Sequence, residues 1–410
     1  MVLWFKILLG LVLGACVGAV LGPQAEIFKP IGSIFISLVN MIIVPLVLSS
    51  IVIGITSIRD PNKLNRMGLN TLGIYLFSTI IAVVLGISAS SIFEPGLGVD
   101  LKIPLSLPHS EAPSLSHIFL ALVPQNPMTA LVEGNILQII VFAVFLGVAI
   151  NFSGERGEAL ARIFESLADV MSHLTSIVME FSPIGAFAIM SWVSGSFGLT
   201  VLFPLLKFLA IYYAVCLIHI AVVFCPILRF MAKVSPLPFF KGMANAMMVA
   251  FSTCSSSATI AIAMNCVQTN LGVSRSVASF VMPLGSNVNK NGAAIFQGMA
   301  VIFASQVYGI ELGWQHILAI VLIVTFSAIG AAGVPGSGLI MLSYVFSTAG
   351  VPVEGVAFFF GIDRVREMGS TVVNVLGDAV CTVYIAKKEG ELDERQYYCK
   401  RLIELEGDEV

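Results

Sequence analysis

Long apolar segments separated by short polar stretches recur along almost the whole chain. A helix needs about 20 apolar residues to cross a bilayer. Six segments in the first part of the chain approach or exceed that length, and they cover residues 3–21, 31–57, 68–93, 135–152, 160–190 and 199–229. The first has too long an apolar core for a signal peptide, and a second apolar segment follows it at once. We therefore predict that each of the six segments is a transmembrane helix.

Two later apolar segments are interrupted by small polar residues. The first, MANAMMVAFSTCSSSATIAIAMNCV, has the run 252–257 at its centre, and the second, ILAIVLIVTFSAIGAAGVPGSGLIMLSYVF, is interrupted between Gly330 and Gly338. Each half has only about 10–15 residues, too few to cross a bilayer alone. Non-helical backbone at membrane depth survives where it is buried in protein or lines a wet cavity. We predict two re-entrant hairpins whose tips form a site; the alternative is a packing face of small residues.

The last long segment, GIDRVREMGSTVVNVLGDAVCTVYIA, gathers polar and ionisable residues on one helical face. The spacing i, i+4, i+7, i+8, i+11 and i+15 joins Asp363, Glu367, Ser370, Thr371, Asn374 and Asp378. Ionisable residues inside a membrane are costly, and they usually face a cavity or pair with one another. We expect Arg364 to form a structural ion pair with Glu367 at i, i+3. The face from Glu367 to Asp378 is predicted to be functional.

The composition indicates an integral membrane protein. The chain has 410 residues, of which 57% are hydrophobic and 11% charged, whereas soluble domains carry about a quarter charged residues. Basic residues lie in the connections after the second, fourth and sixth segments, so the positive-inside rule places both termini in the cytoplasm. The charged tail from Lys387 is expected to be a short frayed helix.

An enzyme is not predicted. The five histidines are scattered, and no Ser/His/Asp or Cys/His set is suggested by their places in the chain. His219 lies in an apolar segment and is expected to be a satisfied buried histidine or a packing residue.

Four motifs resemble the signature motifs of the dicarboxylate/amino acid:cation symporter family, which includes the glutamate and aspartate transporters. These motifs are STCSSSAT, MPLGSNVNKNGAAIFQG, AIGAAGVPGSG and MGSTVVNVLGD, and the likeness covers nearly the whole chain. It implies an all-α integral membrane protein of the elevator-type glutamate transporter fold, with eight transmembrane helices, two re-entrant hairpins and inverted repeats. It also implies a homotrimer in the bacterial cytoplasmic (inner) membrane. The implied partners are the lipid bilayer and a small-molecule substrate, with no nucleic acid and no organic cofactor.

The same resemblance implies a division of the chain. Scaffold helices 1 and 2 would lie in 1–66, transport-domain helix 3 in 67–93, an outer loop with scaffold helices 4 and 5 in 94–198, the transport domain in 199–388 and a cytoplasmic tail in 389–410. Within the transport domain, helix 6 would be followed by hairpin one at about 236–268, helix 7 at about 274–306, hairpin two at about 314–350 and helix 8 at about 354–386. The transport domain would carry substrate and ions across the membrane, with hairpin two as the extracellular gate.

Family roles transfer to positions of this chain that match the motifs. The implied substrate-binding residues are Ser255, Ser256, Ser257, Ala293, Gly333, Val334, Pro335, Gly336, Arg366, Glu367, Ser370, Thr371 and Asn374. The implied ion-coupling residues are Tyr75, Ser78, Thr79, Gly285, Asn287, Asn289, Lys290, Asn291, Asn374 and Asp378. Within the second set, a sodium ion is expected at Gly285, Asn289, Asn374 and Asp378.

Departures from the family pattern affect the coupling ions. Sodium-coupled members usually read NMDGT where this chain reads NKNGA, so an aspartate becomes Asn291 and a methionine becomes Lys290. Ala328 and Ala331 stand where hydroxyl residues are common. We therefore expect coupling to protons, to a reduced number of sodium ions, or to both. NKNG is expected to be an unwound break in helix 7, where Lys290 replaces sodium, binds the substrate carboxylate or carries the proton; Glu367 is the other candidate proton carrier.

Substrate recognition departs from the pattern as well. Members that take acidic substrates place an arginine where this chain has Ser370. A buried substrate carboxylate needs a cation nearby, so Arg366 or Lys290 would have to supply the charge. We expect import of an amino acid or dicarboxylate such as glutamate or aspartate. The alternatives are a neutral amino-acid carrier or exchanger for Ser, Ala, Thr or cystine-like substrates and, in a different class, a channel-like or sensor membrane protein.

Overall fold

The structure is a computed structural model, and it describes residues 3–56, 67–97, 123–197, 202–330, 337–360 and 362–398. In these ranges the chain is helical, with one isolated antiparallel bridge between Val273 and Leu392. The α-helices are α1 (Leu3–Leu21), α2 (Lys29–Thr56), α3 (Leu69–Phe93), α4 (Pro127–Glu133), α5 (Ile136–Phe152), α6 (Glu155–Glu180), α7 (Ser182–Phe197), α8 (Leu202–His219), α9 (Pro236–Thr253), α10 (Ser256–Thr269), α11 (Arg275–Val288), α12 (Asn291–Tyr308), α13 (Trp314–Gly330), α14 (Ser337–Thr348), α15 (Ala357–Phe360) and α16 (Asp363–Glu389). Short 3-10 helices cover Gly22–Phe28 and Val353–Val356, and π-helical turns cover Ile220–Phe224 and Ile227–Met231.

Four helical stretches are long and apolar enough to cross a membrane, namely Leu9–Phe35, Leu69–Phe93, Phe203–Met231 and Asp363–Glu389. Shorter apolar helices cover Val44–Thr56, Gln138–Phe152 and Trp314–Ala328. Many large apolar side chains on these and neighbouring helices are exposed on the protein surface, where lipid tails would cover them. These features indicate a multi-pass membrane protein.

The predicted single span 160–190 is wrong. Two helices, α6 and α7, meet there at Phe181, whose carbonyl accepts the first hydrogen bond of α7 from Gly185 at 3.0 Å. Pro183 explains the boundary, because proline has no backbone N–H and fits the first turn of a helix rather than its interior. The segment expected as one helix at 354–386 also differs, since α16 begins only at Asp363.

Aromatic packing explains why α15 stands apart from α16. The ring of Phe359 is buried, with centroid distances of 5.1 Å to Phe208 and 5.4 Å to both Phe296 and Phe303. Edge-to-face contacts of this kind add to the burial of apolar area. These long-range contacts fix the position of α15 in the main hydrophobic core.

The helices fall into two groups by their packing. In the first group, α1 packs along α7, and α2 packs against α5, α6 and α7. In the second group, α12 packs against α3, α13 and α16, and α9, α10 and α11 all pack against α16. The two groups meet where α2 contacts α11, α13 and α14 and where α5 contacts α13.

Helix pairs occupy the two interrupted apolar segments. Between α9 and α10, Cys254 adopts a left-handed backbone conformation with φ 55°, which ends α9. This conformation is uncommon for a residue with a side chain, so the turn is held by its surroundings. The second pair is α13 and α14, which pack against each other; residues 331–336 between them, including Ala331, lie outside the described residues.

The chain after α16 folds back onto the second group, and residues 394–398 form a short helical segment there. Residues 399–410 of the predicted tail lie outside the described residues. We call residues 391–398 the C-terminal clasp. Asp393 donates from its backbone N–H to Gly272 O at 2.8 Å, and the Tyr397 hydroxyl donates to Ser235 O at 2.9 Å. Tyr397 is only 2% exposed. The clasp therefore ties the start of α9 to the connection between α10 and α11.

Candidate functional site

Helices α11 and α12 follow one another with a break at Asn289 and Lys290. The backbone angles are φ −93°, ψ 97° at Asn289 and φ −121°, ψ 53° at Lys290, so neither residue is helical. The negative end of the α11 dipole and the positive end of the α12 dipole meet at this break. Backbone carbonyls in the last turn of α11 therefore become available to other groups.

The polar face of α16 lies against the break. Asn289 Nδ2 donates to Asp378 Oδ1 at 2.9 Å and to the backbone oxygen of Asn374 at 3.3 Å. The side-chain oxygen of Asn374 accepts from the N–H of Gly292 at 2.8 Å. We call Asn289, Lys290, Asn291, Asn374 and Asp378 the helix-break cluster.

Two glycines allow the helices of this cluster to approach closely. A Cβ at Gly285 would lie 2.5 Å from both Asp378 Oδ1 and the Tyr75 hydroxyl. A Cβ at Gly377 would lie 2.5 Å from Asn289 Nδ2. Real Cβ atoms do not come this close, so α11, α3 and α16 meet here only because these positions lack side chains.

Lys290 is 2% exposed, and its ammonium has one hydrogen-bond acceptor and one nearby carboxylate. It donates to the carbonyl of Ser286, in the last turn of α11, and it interacts electrostatically with the carboxylate of Asp378. A cation is favourable at a helix C-terminus. Lys290 and Asp378 therefore neutralise each other within the helix-break cluster.

Asn291 forms a closed network with α3. Its Oδ1 accepts from Thr79 Oγ1 at 3.0 Å and from Ser78 Oγ at 3.3 Å. The hydroxyl of Tyr75, one turn earlier on α3, donates to Val281 O at 3.1 Å. These predicted ion-coupling residues lie together, and their hydroxyl groups form hydrogen bonds within the protein.

A sodium ion does not fit the residues that the sequence proposes for it. Hard cations prefer oxygen ligands and charge compensation, and Asp378, the one carboxylate of this set, is already balanced by Lys290. The oxygens of Gly285, Asn374 and Asp378 each accept a hydrogen bond from Asn289. Asn289 Oδ1 is buried and accepts no hydrogen bond, but it carries no charge. Within the described residues there is no group of three or more His, Cys, Asp or Glu that could hold a metal.

A second cluster lies at the start of α16, and we call Asp363, Arg364, Arg366 and Glu367 the charged quartet. Arg366 pairs with Asp363, and its guanidinium lies 3.9 Å from Glu367 Oε1. Arg364 Nη1 lies 3.7 Å from Glu367 Oε2, which confirms the predicted i, i+3 pair. All four residues are buried.

Both helix pairs approach the charged quartet. Cys254, at the turn between α9 and α10, lies near all four quartet residues. A Cβ at Gly338, near the start of α14, would lie 3.1 Å from Arg366 Nη1. Arg366 is 1% exposed, and its guanidinium carbon lies 4.2 Å from the centroid of the Phe296 ring. The quartet therefore lies where α9–α10, α12, α14 and α16 converge.

The remaining predicted substrate residues are distributed unevenly. Ser255 caps α10, with its Oγ accepting from Ala258 N at 3.2 Å, and Ser256 is buried whereas Ser257 is exposed. Ala293, Ser370 and Thr371 are buried near the two clusters. Gly333, Val334, Pro335 and Gly336 lie outside the described residues.

Asn287 is placed apart from the helix-break cluster. Its amide donates to Pro283 O at 3.0 Å. Its Cβ lies 3.5 Å from the position that a Cβ of Gly54 on α2 would take. Asn287 is thus at the contact between the two helix groups.

Sequence reasoning missed Tyr212, Phe296 and Gln297. The hydroxyl of Tyr212 donates to Gly292 O at 3.1 Å, and Gln297 Nε2 donates to Gly338 O at 3.4 Å. The sequence could have indicated Gln297, because it is a polar residue in an apolar segment two turns beyond the break. It gave no indication of Tyr212 and Phe296, because aromatic residues are common in membrane helices.

His219 is a packing residue. It is buried, with its ring centroid 4.9 Å from that of Phe224. Neither ring nitrogen has a hydrogen-bond partner, so the expectation of a satisfied histidine is not met.

A cavity of about 320 Å³ lies away from both clusters, between the ends of α2, α5 and α6. Glu155, Glu158 and Glu165 line it, with no residue of α9 to α16. It is therefore separate from the convergence of helices that defines the candidate site.

Broken helices that bring balanced buried charges together in a multi-pass membrane protein are typical of secondary transporters. Comparison with known families agrees: the model of the sodium:dicarboxylate symporter family matches residues 3–388. The chain belongs to this family.

Similar curated proteins carry related names. The chain is 34% identical to the proton/sodium-glutamate symport protein of Geobacillus stearothermophilus over 96% of both chains. It is 32% identical to the proton/glutamate-aspartate symporter of Escherichia coli, over 96% of this chain and 94% of the relative. It is also 32% identical to the C4-dicarboxylate transport protein of Cupriavidus necator, over 96% of this chain and 94% of the relative.

Proposed function

We propose that this symporter imports an acidic amino acid, such as glutamate or aspartate, or a C4 dicarboxylate across the bacterial cytoplasmic membrane. The observation that carries the proposal is Arg366. A planar guanidinium suits carboxylate recognition, because its N–H groups match both carboxylate oxygens. Here it is buried beside the start of α14 and the turn of α9–α10, as a site for an acidic substrate requires. The names of the relatives support the same substrate class.

The neighbouring groups supply the other contacts of an amino-acid substrate. The backbone and hydroxyls at Ser255 and Ser256 would hold the main carboxylate, and a Glu367 side-chain oxygen would accept a hydrogen bond from the amino group. Arg366 would exchange part of its contact with Asp363 for the second carboxylate. A C4 dicarboxylate would use the same two anion-binding positions without the amino group.

We infer coupling to protons from the balance of the buried charges in the two clusters. The charged quartet balances internally, as do Lys290 and Asp378, so a substrate with net negative charge leaves an uncompensated buried anion. A proton that binds together with the substrate removes this cost. Glu367 is the proposed proton carrier because it belongs to the quartet and lies on the substrate face of α16.

The two helix groups support an elevator mechanism. We assign α1, α2, α5, α6 and α7 to a scaffold, and α3 with α8 to α16 to a moving transport domain. The scaffold would form the homotrimer, both termini would be cytoplasmic, and α13–α14 would be the extracellular gate.

A neutral amino-acid carrier is the second candidate, favoured by the pairing of Arg366 with Asp363. If this ion pair stays intact, the guanidinium is not available to a substrate carboxylate. Ser370, in place of an arginine, fits the same alternative.

Binding to the purified protein separates the two candidates. Thermal-shift titrations would compare L-glutamate, L-aspartate and succinate with L-serine, L-alanine and L-cystine, because a ligand that binds the folded state raises its Tm. The proposal predicts that the acidic ligands bind. The double variant Asp363→Asn/Arg366→Gln keeps the buried charge balanced and should weaken their binding about 100-fold or more. The matched control Glu158→Gln/Arg162→Gln removes an exposed i, i+4 pair on α6 and should leave binding unchanged. Stabilisation by neutral amino acids alone would contradict the proposal.

A further inference from the structure

We propose that the ammonium of Lys290 is a built-in cation that occupies the cation position beside Asp378, so that this position takes no sodium ion. The inference deepens the proposed function, since it concerns the coupling ions of the same transporter. It does not depend on which substrate is carried.

Geometry is the first support. Lys290 lies at the start of α12, yet its side chain turns back to the carbonyl of Ser286 at the end of α11. Free carbonyls at a helix C-terminus attract cations. Asn289, the residue before Lys290, donates to Asp378 Oδ1 at 2.9 Å, which places the carboxylate of α16 at the break. The Lys290 ammonium therefore combines a carbonyl contact with electrostatic attraction to a nearby carboxylate, as a small cation at this position would.

Charge balance is the second support. In the described part of the chain, the buried Lys, Arg, Asp and Glu side chains are three cations and three anions: Lys290, Arg364, Arg366, Asp363, Glu367 and Asp378. The quartet accounts for two of each, which leaves Lys290 to balance Asp378. A sodium ion added beside Lys290 would leave an excess buried positive charge, which is strongly unfavourable.

At the neighbouring position, the uncharged side chain of Asn291 uses hydrogen bonds within the protein in place of a bound cation. The Asn291 amide both accepts from and donates to the hydroxyl of Ser78, with Nδ2 3.2 Å from Ser78 Oγ, and it also accepts from Thr79. An amide supplies donors where a metal would require only acceptors. The side chains of Lys290 and Asn291 thus both have hydrogen-bond partners within the protein.

Removal of the ammonium should create a sodium site. In Lys290→Met, Asp378 becomes a buried carboxylate without a counter-charge, next to the unoccupied acceptor Asn289 Oδ1. We expect the Tm of this variant to be below that of the wild type in choline chloride. Sodium chloride at the same ionic strength should then raise it by about 3 °C or more, and the variant should bind radioactive sodium at equilibrium.

The wild type and two lysine controls complete the experiment. The wild-type Tm should differ by less than about 1 °C between sodium and choline chloride. Lys290→Arg keeps a cation and should remain insensitive. Lys207→Met removes a lysine of α8 that donates to Glu94 O, far from Asp378 in the chain, and should also be insensitive.

The neutral double variant Lys290→Met/Asp378→Asn covers the case in which Lys290→Met does not fold. It removes both charges, so it should fold and should bind no sodium. Saturable sodium binding to the wild type at this position, recognised by its loss in Asp378→Asn, would overturn the proposal. So would a folded Lys290→Met that remains insensitive to sodium. No substrate is present in these measurements, so their failure is distinguishable from failure of the proposed function.

Discussion

Buried charge sets the chemistry of individual residues in this protein. Lys290 balances Asp378 in the helix-break cluster, and the charged quartet balances itself at the start of α16. Breaking a buried ion pair by removing one partner is far more costly than removing both. Paired substitutions are therefore the informative ones at both clusters.

Residue spacing predicts contacts along one helix but not contacts between helices. The Arg364–Glu367 pair follows from the i, i+3 spacing and is confirmed. The sequence placed Arg366 one turn from Ser370, but its stacking on Phe296 of α12 and its proximity to Gly338 depend on packing between distant segments. The position of Asn287 at the contact with α2 had no local signal for the same reason.

The substitution Gly285→Ala tests the close approach of α3, α11 and α16. We predict that Gly285→Ala destabilises the protein by about 1–3 kcal/mol or more, because its Cβ would overlap Asp378 and Tyr75 and force both to move. Gly73→Ala on α3 is the control, since a Cβ there meets nothing within 4 Å. It should be neutral, or stabilising by about 0.5–1 kcal/mol through helix propensity. Thermal unfolding in detergent measures both, and an equal effect of the two substitutions would contradict the account.

The positions of helices follow from hydrophobic pattern more readily than their ends do. The interrupted segments correspond to α9–α10 and α13–α14, and the break between α11 and α12 lies at NKNG. The boundary at Phe181 was missed although Glu180, Ser182 and Pro183 mark it in the sequence. The separation of α15 from α16 was missed because it depends on burial of Phe359 among aromatic rings from other helices.

The C-terminal clasp should be released at alkaline pH. Burial raises the pKa of the Tyr397 hydroxyl above its ordinary value of about 10. The folded state therefore holds this proton more tightly than the unfolded state. The resulting stability is present below pH about 10 and is lost as the pH rises above it.

Anisotropy of a dye at Arg395→Cys in a single-cysteine background measures the release. We expect a fall in anisotropy above pH about 10. Tyr397→Phe should abolish that pH dependence and loosen the clasp by about 1 kcal/mol at neutral pH through loss of the bond to Ser235. Tyr398→Phe removes the hydroxyl of the more exposed neighbour, which accepts from Ser235 N at 3.1 Å, and it should keep the alkaline transition. If Tyr397→Phe kept the same alkaline transition, a group other than the Tyr397 hydroxyl would be responsible for it.

At the scale of the whole molecule, the sequence predicts a multi-pass membrane protein from composition and its family from four motifs. Both are confirmed. The division into scaffold and transport domain remains a proposal, because motion and assembly depend on surfaces between distant segments. Local pattern in one chain does not determine those surfaces.

A cross-link between the two helix groups tests the elevator. The Cβ position of Gly54 on α2 lies 3.5 Å from that of Asn287 on α11, within the range of about 3.5–4.5 Å for disulfides. Oxidised Gly54→Cys/Asn287→Cys should lose most uptake, keep substrate binding and recover on reduction. A bridge within the second group, Gly242→Cys/Asn270→Cys, has a corresponding distance of 3.3 Å, just below that range, and requires the end of the Leu271 side chain to move. It should leave uptake intact. Full uptake with the first bridge closed would exclude movement between the groups.

Uptake by proteoliposomes under separately imposed proton and sodium gradients tests the central claim most directly. Substrates would be radioactive glutamate, aspartate and succinate. We predict concentrative uptake of an acidic substrate driven by a proton gradient with the interior alkaline, and equal rates in sodium and choline media. Uptake that requires sodium and ignores the proton gradient would contradict the account, as would a flux of acidic substrate that never exceeds equilibrium, as in a channel.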